Sequence, residues 1–590
     1  MTVRAQNQTA PRLVIADDET GLDGAYFAAL GPDDVKRWGN SQRWLPGLDR
    51  QKRSAALADY QACMEKLDAR NQAQPAYWRT ALGIRDVEKS LLFNGLEQLW
   101  RLEQLLRRPR KGKHEIHLLA SDPAFARLAR RLAARNGWQV TVRLQPVWRR
   151  WISRLRERWQ GLGYLLSLAA PRGTKRPTVP GSADIIIATV STLDRITGDS
   201  GPRDFIFGQF PGQLAAKGKR VAMFAQLVGE TRMPEGVSRS TDPFPIRTFA
   251  DLAGPLDALR NFFRAQLARI HAPKSRSSLG LKLTGLIASD IARARWQDLP
   301  SNMLLEHALG QLIKASPNAV LLHSFENNAW ESVCQDLARR HGIKSVGLQH
   351  NALIRSHLKL YRNAMRPAPD AIIVSGPVYR QLLCEEFGYD TDRLVCGFAI
   401  RQLNIFSDPP KSAPPDEPQR ILVMLQQTLT SPLFLDLVRL AFKGAKGLTV
   451  TLRPHPAIPL ADMLQGSALR LRPPFRKSSL ESLQEDLDAH DIAVCGGTTA
   501  ELEAVAHGVP CVFVDTGETV SANPLFAEHA LNVVAGGAVE LRAACEHFAT
   551  MTTQEFTEQR EAARTFVEGA FSPPSAARFK AVLETLRPHA

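Results

Sequence analysis

Leu448-Thr449-Val450-Thr451-Leu452 runs into Arg453-Pro454-His455-Pro456. Further on, Asp491-Ile492-Ala493-Val494-Cys495 runs into Gly496-Gly497-Thr498-Thr499 and then Ala500-Glu501-Leu502-Glu503-Ala504-Val505-Ala506-His507-Gly508-Val509-Pro510. Each begins as a short apolar run of strand length and ends in turn residues. Each carries polar or glycine residues at its C-terminal end, the edge of an open α/β sheet at which ligands bind. A histidine at one edge, and a Gly-Gly-Thr-Thr turn opening into a helix at the other, point to a nucleotide-phosphate site.

Outward from these stretches the same alternation recurs. Strand-like runs fall at 185–190, 220–227, 319–323, 345–350 and 371–375, with helical patterns between them at 208–217, 255–314 and 326–341. A proline-rich stretch at 409–418 interrupts the alternation, which restarts with the run at 420–425. Strands alternating with helices predict parallel sheets covered on both faces. The fold expected is α/β, with two doubly wound, Rossmann-like domains at 181–408 and 419–590. Residues 1–180 precede them. That region combines a helical pattern at 87–108, a βαβ-like unit (strand 115–120, helix from Ser121-Asp122-Pro123 to Asn136, strand 139–144) and a basic, tryptophan-rich helix at 148–168. We expect it to be an additional α/β domain, separated from the rest by the exposed linker 171–181.

Length and charge narrow the function classes. A chain of 590 residues is too long for one core. The net charge of +16 favours an anionic partner: a membrane surface, an acidic glycan, a sugar nucleotide or a nucleic acid. No zinc-finger, helix-turn-helix or RNP-like signature accompanies that charge, so nucleic acid is not expected as a partner. The seven cysteines form no CxxC pair and no metal-ligand spacing, which suits a reduced compartment. No apolar segment reaches signal-peptide or membrane-spanning length, so the expected location is cytoplasmic. In the 148–168 helix, Trp148, Trp151, Trp159 and Tyr164 lie among five arginines. That pattern fits either a membrane interface or packing on a neighbouring domain.

The segment from Glu503 to Pro510 resembles the E-A-x-A-x-G-x-P signature of GT-B glycosyltransferases. The resemblance implies that Glu503 holds the donor ribose hydroxyls, whose protons a carboxylate accepts. Gly496, Gly497, Thr498 and Thr499 would cradle phosphate; the alternative is a tight turn with a buried glutamate cap. Arg453-Pro454-His455-Pro456 resembles the HP motif of bacterial transferases of CMP-activated acids, including sialyl- and Kdo-type enzymes. A similar R-x-H-P occurs in CDP-glycerol transferases. The resemblance implies that His455 stabilises a departing CMP, flanked by Arg453 and Pro456 in nucleotide binding. Glu326-Asn327-Asn328-Ala329-Trp330-Glu331, with Gln349-His350, is similar to segments of bacterial surface-carbohydrate biosynthesis proteins. Glu326 follows a strand and is the candidate general base; its other reading is a helix N-terminal carboxylate. Gln349 and His350 contact donor or acceptor, or order the strand end, and Gln427 and Thr428 lie in a loop expected near the donor phosphates.

The resemblance covers 184 onward and implies no cofactor and no obligatory metal. No D-x-D motif and no D/E-D/E-G base motif of the sialyltransferase kind is found. The function expected is transfer of a sugar, from a CMP-activated nonulosonic acid or Kdo, to a glycan or lipid-linked acceptor in surface polysaccharide or glycolipid synthesis, with peripheral membrane contact. The alternatives are a CDP-polyol phosphotransferase and a non-catalytic GT-B-like assembly scaffold.

Overall fold

The computed structural model describes residues 48–589 except 88, 108–115, 121, 139, 145–146, 171–181, 193–203, 205, 228–243, 401–404, 406–410, 412, 415–419, 427–430, 456–457, 465–466 and 528–529. Pro456, Gln427 and Thr428 therefore lie outside the described residues.

The strands are β1 (Ile116–Ala120), β2 (Val140–Leu144), β3 (Ile185–Ser191), β4 (Val221–Leu227), β5 (Ile246–Arg247), β6 (Val320–Ser324), β7 (Ser345–Leu348), β8 (Ala371–Val374) and β9 (Leu394–Cys396). After them come β10 (Arg420–Met424), β11 (Thr449–Arg453), β12 (Phe475–Lys477), β13 (Ile492–Cys495), β14 (Cys511–Val514) and β15 (Asn532–Ala535). They form two large all-parallel sheets, ordered β5-β4-β3-β6-β7-β8-β9 and β12-β11-β10-β13-β14-β15. In both the order reverses beside the first strand, so the switch points fall between β3 and β6 and between β10 and β13. Helices cover both faces, which is why β6, β7, β8, β13 and β14 are buried at every residue and read as largely apolar runs. The two doubly wound sheets in tandem are the architecture expected.

The N-terminal part departs from the expected α/β domain. It is a mainly helical extension (Arg50–Asn71, Pro75–Trp78, Leu91–Leu106, Pro123–Arg135), and β1 pairs only with β2. Its apolar side chains form one cluster with Leu281, Leu286, Ile287 and Leu299 of the first doubly wound unit. Buried polar links reinforce the contact. The Asp290 carboxylate accepts from the Ser90 hydroxyl (2.8 Å) and the Leu92 N–H (3.0 Å) at the start of helix Leu91–Leu106. Arg79 reaches Glu306 at 2.7 Å and Asp336 at 3.0 Å. Two strands with one crossover helix have too little apolar area to close a core alone, which is the physical reason for the shared packing.

The extension also clasps the second unit. Arg53 pairs with Asp515 at 2.7 Å, the Leu48 N–H donates to the Gly517 carbonyl at 2.9 Å, and the Thr519 N–H donates to Glu97 at 3.3 Å. At the other end, helix Ala576–Thr585 returns to the first sheet. Val582 enters its core with Ile185 and Ile187, and Phe579 stacks near Phe210 and Phe398.

Candidate functional site

The residue types singled out in the sequence converge on the C-terminal edges of the two sheets, joined by the loop after β14. Gly497 of the second sheet packs on Ala522, and the neighbouring Ser521 carbonyl accepts from the Ser356 hydroxyl of the first unit. Arg355 lies over the Phe526 ring at 5.0 Å.

At the first edge, β6 ends at Ser324 and helix Ala329–His341 begins after the Asn328 cap. Glu331 ties the intervening turn. Its carboxylate accepts from the Ser324 hydroxyl (2.5 Å), the Glu326 N–H (3.0 Å) and the Asn328 N–H (3.1 Å), and it is wholly buried. Asn327 takes the left-handed conformation (φ 56°) and fastens the turn to the Lys359 carbonyl (3.0 Å) and the Tyr389 hydroxyl (2.9 Å). With the turn satisfied internally, the Glu326 side chain stays 26% exposed at the strand edge. One of its oxygens accepts from Asn328 Nδ2 at 2.7 Å. The other accepts from Asn351 Nδ2 and faces His350 Nε2 at 3.4 Å.

The two carboxyls separate electrostatically. Burial acts to raise Glu326, but His350, Lys359 and the Asn328 bond outweigh it and bring the group below its ordinary value. Burial and the adjacent Glu326 charge push Glu331 up to about 8. Glu326 is thus the ionised, accessible member at neutral pH, and Glu331 holds the proton. Burial also takes His357 down to about 4. Gln349 is 1% exposed; its oxygen accepts from the Ser375 N–H (2.9 Å) and hydroxyl (2.8 Å), so it orders the ends of β7 and β8.

At the second edge, Gln426 after β10 donates to the Gly496 carbonyl after β13 at 2.6 Å, closing the switch point. Gly497 has φ 116°, and a Cβ there would stand 2.4 Å from that of Ala522, so only glycine fits. The Gly497 and Thr498 N–H groups, expected to cradle phosphate, both donate to Glu501 Oε1 at 2.8 Å. A buried glutamate cap was the other reading of the turn, and the glutamate that provides it is Glu501, not Glu503. Glu501 is wholly buried, burial pushes it up to about 7, and its second oxygen has no hydrogen-bond partner. Glu503, two residues on in helix Ala500–Ala506, is half-buried. Thr499 caps that helix without a side-chain bond.

Arg453 braces β11 rather than standing open. Its guanidinium pairs with the buried Asp486 and donates to the Glu481 carbonyl at 3.0 Å. His455 is half-buried just beyond the strand, and its carbonyl accepts from the Ile458 N–H at 3.0 Å. Sequence reasoning missed Glu501. The signal was present, since Thr498-Thr499-Ala500-Glu501 has the spacing of a helix capping box.

Among the described residues one group of His, Cys, Asp or Glu side chains lies close enough to hold an ion: Cys495, Glu501 and Cys511, all buried. The two Sγ atoms are 3.0 Å apart, whereas thiolates on a tetrahedral zinc with bonds of about 2.3 Å stand roughly 3.7 Å apart. Burial pushes both thiols up, which favours the protonated pair. The trio fits a packed strand contact better than a metal centre.

No family model and no curated protein matches the chain. Among solved structures, it is similar to CalG4, the calicheamicin glycosyltransferase, at 16% identity over 69% of this chain and 98% of that one, with a TM-score of 0.38. It is similar to Anabaena Alr3699/HepE in complex with UDP at 12% identity over 68% and 99%, with a TM-score of 0.36. It is also similar to S. aureus MnaA with UDP at 11% identity over 68% and 97%, with a TM-score of 0.37. Likenesses at these scores carry no argument about activity, and the fold rests on the strand order of the two sheets.

Proposed function

We propose that the protein is a GT-B glycosyltransferase in which Glu326 is the general base. The observation that carries this reading is an ionised, accessible carboxylate, pinned by Asn328 and Asn351 and paired with His350, at the C-terminal edge of the first sheet. An acceptor hydroxyl attacks the anomeric carbon, the bond from that carbon to the phosphate oxygen breaks, the nucleotide leaves with the electron pair, and Glu326 takes the proton. The donor is a CMP-activated acidic sugar, a nonulosonic acid or Kdo. The Arg453-Pro454-His455 resemblance and the +16 charge support that choice. His455 and the Thr498 and Thr499 hydroxyls receive the phosphate and Glu503 the ribose. Cations and backbone dipoles supply the positive potential, so activity survives EDTA. The acceptor is a glycan or lipid-linked sugar at the cytoplasmic face of the membrane, in surface polysaccharide or glycolipid synthesis.

One observation favours a second reading, a non-catalytic scaffold: Glu501 already occupies two amides of the turn. Thermal unfolding with CMP, CDP, UDP and GDP separates the two, because a ligand of the folded state raises its stability. Stabilisation selective for CMP is expected, lost in His455→Ala and Glu503→Ala. Glu326→Gln should keep that stabilisation and lose turnover by about 100-fold or more. CDP selectivity would favour polyol-phosphate transfer, and no response to any nucleotide would leave the scaffold.

A further inference from the structure

The tryptophan-rich helix Val147–Leu168 is anchored in the core at its C-terminal end. Leu165 and Leu168 are buried in a cluster with Phe249, Phe262 and Leu304. Towards its start, Trp148, Trp151, Ile152 and Trp159 are 59%, 63%, 55% and 70% exposed. Their spacing of three, four and seven to eight residues puts them on one side of the helix. A second helix, Pro255–Gln266, packs beside it. Trp296 joins the pair: Phe262 lies 5.5 Å from its ring and the Arg158 guanidinium 3.9 Å above it. The second helix buries Phe262 and leaves Leu256, Phe263 and, just after its end, Leu267 at 81%, 60% and 81% exposure. Those three again share one side by spacing.

Across 147–168 and 255–269 the chain has eight arginines and two acidic residues, Glu157 and Asp257. Asp257 is occupied by the Gly254 N–H at 2.8 Å. Arg156, Arg260 and Arg269 are exposed. Among the described residues no helix is long and apolar enough to cross a membrane.

We propose that these two helices form a docking surface for the headgroup region of an anionic phospholipid bilayer. Indole rings settle at the boundary between headgroup and acyl chain, with arginines beside them reaching phosphate. Charge complementarity selects this occupant, because exposed arginines on the same two segments as protruding aromatic side chains, with only two acidic residues among them, match anionic headgroups. Near an anionic surface each arginine multiplies binding by roughly fivefold. The inference deepens the transferase reading, which puts the acceptor at a membrane face, but its test is independent of that reading, since the surface is remote in sequence from every residue the transferase reading uses.

The test is sedimentation of the full chain with vesicles of phosphatidylglycerol and phosphatidylcholine, against phosphatidylcholine alone, with tryptophan emission read in dibrominated lipid. Binding to anionic vesicles is expected to be at least tenfold tighter, to weaken in 0.5 M salt, and to quench tryptophan. Trp148→Ser/Trp151→Ser/Trp159→Ser should lose both signals with an unchanged melting temperature. Phe263→Ser/Leu267→Ser should lose at least tenfold in binding while keeping its tryptophans. Absence of vesicle binding, or binding equal in the variants, overturns the proposal. So does a wild-type oligomer that the variants dissociate, which would assign the surface to a second copy of the chain.

Discussion

Glu326 and Glu331 are alike in sequence and opposite in role. What was legible of the first is its place just past a strand, where the structure leaves its side chain partly exposed. The division of labour was not legible, because it depends on Ser324, Asn328 and His350, which only the fold brings together. Glu501 and Glu503 repeat the lesson. Two residues along a helix is a turn of about 200°, so one faces in and the other out. A motif centred on Glu503 says nothing of its neighbour. Replacing Glu501 by alanine should leave the Gly497 and Thr498 N–H groups unsatisfied and cost about 1–3 kcal/mol in denaturant unfolding. The same change frees those amides for phosphate, so the melting shift with CMP should be at least as large as in the parent chain. A shift that vanishes would show that Glu501 serves the nucleotide directly.

Elements were readable in proportion to their length and burial. The runs at 185–190, 319–323 and 491–495 each carry a single polar residue, and each is a central strand beside a switch point. The edge strands Ile246–Arg247, Leu394–Cys396 and Phe475–Lys477 have two or three residues each and little periodicity, so nothing local distinguishes them from loop. Their pairing is imposed by a neighbouring strand: β12 takes its register from β11 through Val450 and Phe475. The expected N-terminal domain failed for a related reason. The βαβ pattern at 116–144 was sound, but a pattern cannot tell whose core its apolar face will join. Here the partner is Leu281 to Leu299, more than a hundred residues on. The helix at 148–168 was legible as an element, while its packing depends on Trp296 and the helix Pro255–Gln266, which lie far off in sequence.

At the scale of the whole molecule, buried titrating groups set a pH optimum. Glu331, Glu501 and Asp290 are pushed up to about 8, 7 and 6, and in each case burial is the main cause. Each contributes stability present below its unfolded value and lost as pH rises through its folded value. Burial lowers His323 and His357 to about 4, so their contribution is present above 6.5 and lost as pH falls towards 4. Between pH 6 and 6.5 the histidines offset the two glutamates. Above 6.5 the raised carboxyls dominate, at about 1.4 kcal/mol per group and pH unit. The urea midpoint should therefore fall from pH 6.5 to 8, and Glu331→Gln should abolish the part of that fall above pH 7. A flat profile in the parent chain would contradict the assignment of the proton to Glu331. The clasp carries a further consequence, for the order of events during synthesis. Helices Arg50–Asn71 and Leu91–Leu106 leave the ribosome well before their apolar partners at 281–299 and the loop they grip at 515–519. Until then Leu96, Leu99 and Leu102 have no complete core, and the nascent chain presents a sticky face that a holding chaperone would cover. A fragment ending at residue 250 should be cut rapidly by protease within 50–106, while the full-length chain resists there; equal resistance would mean that the extension matures on its own.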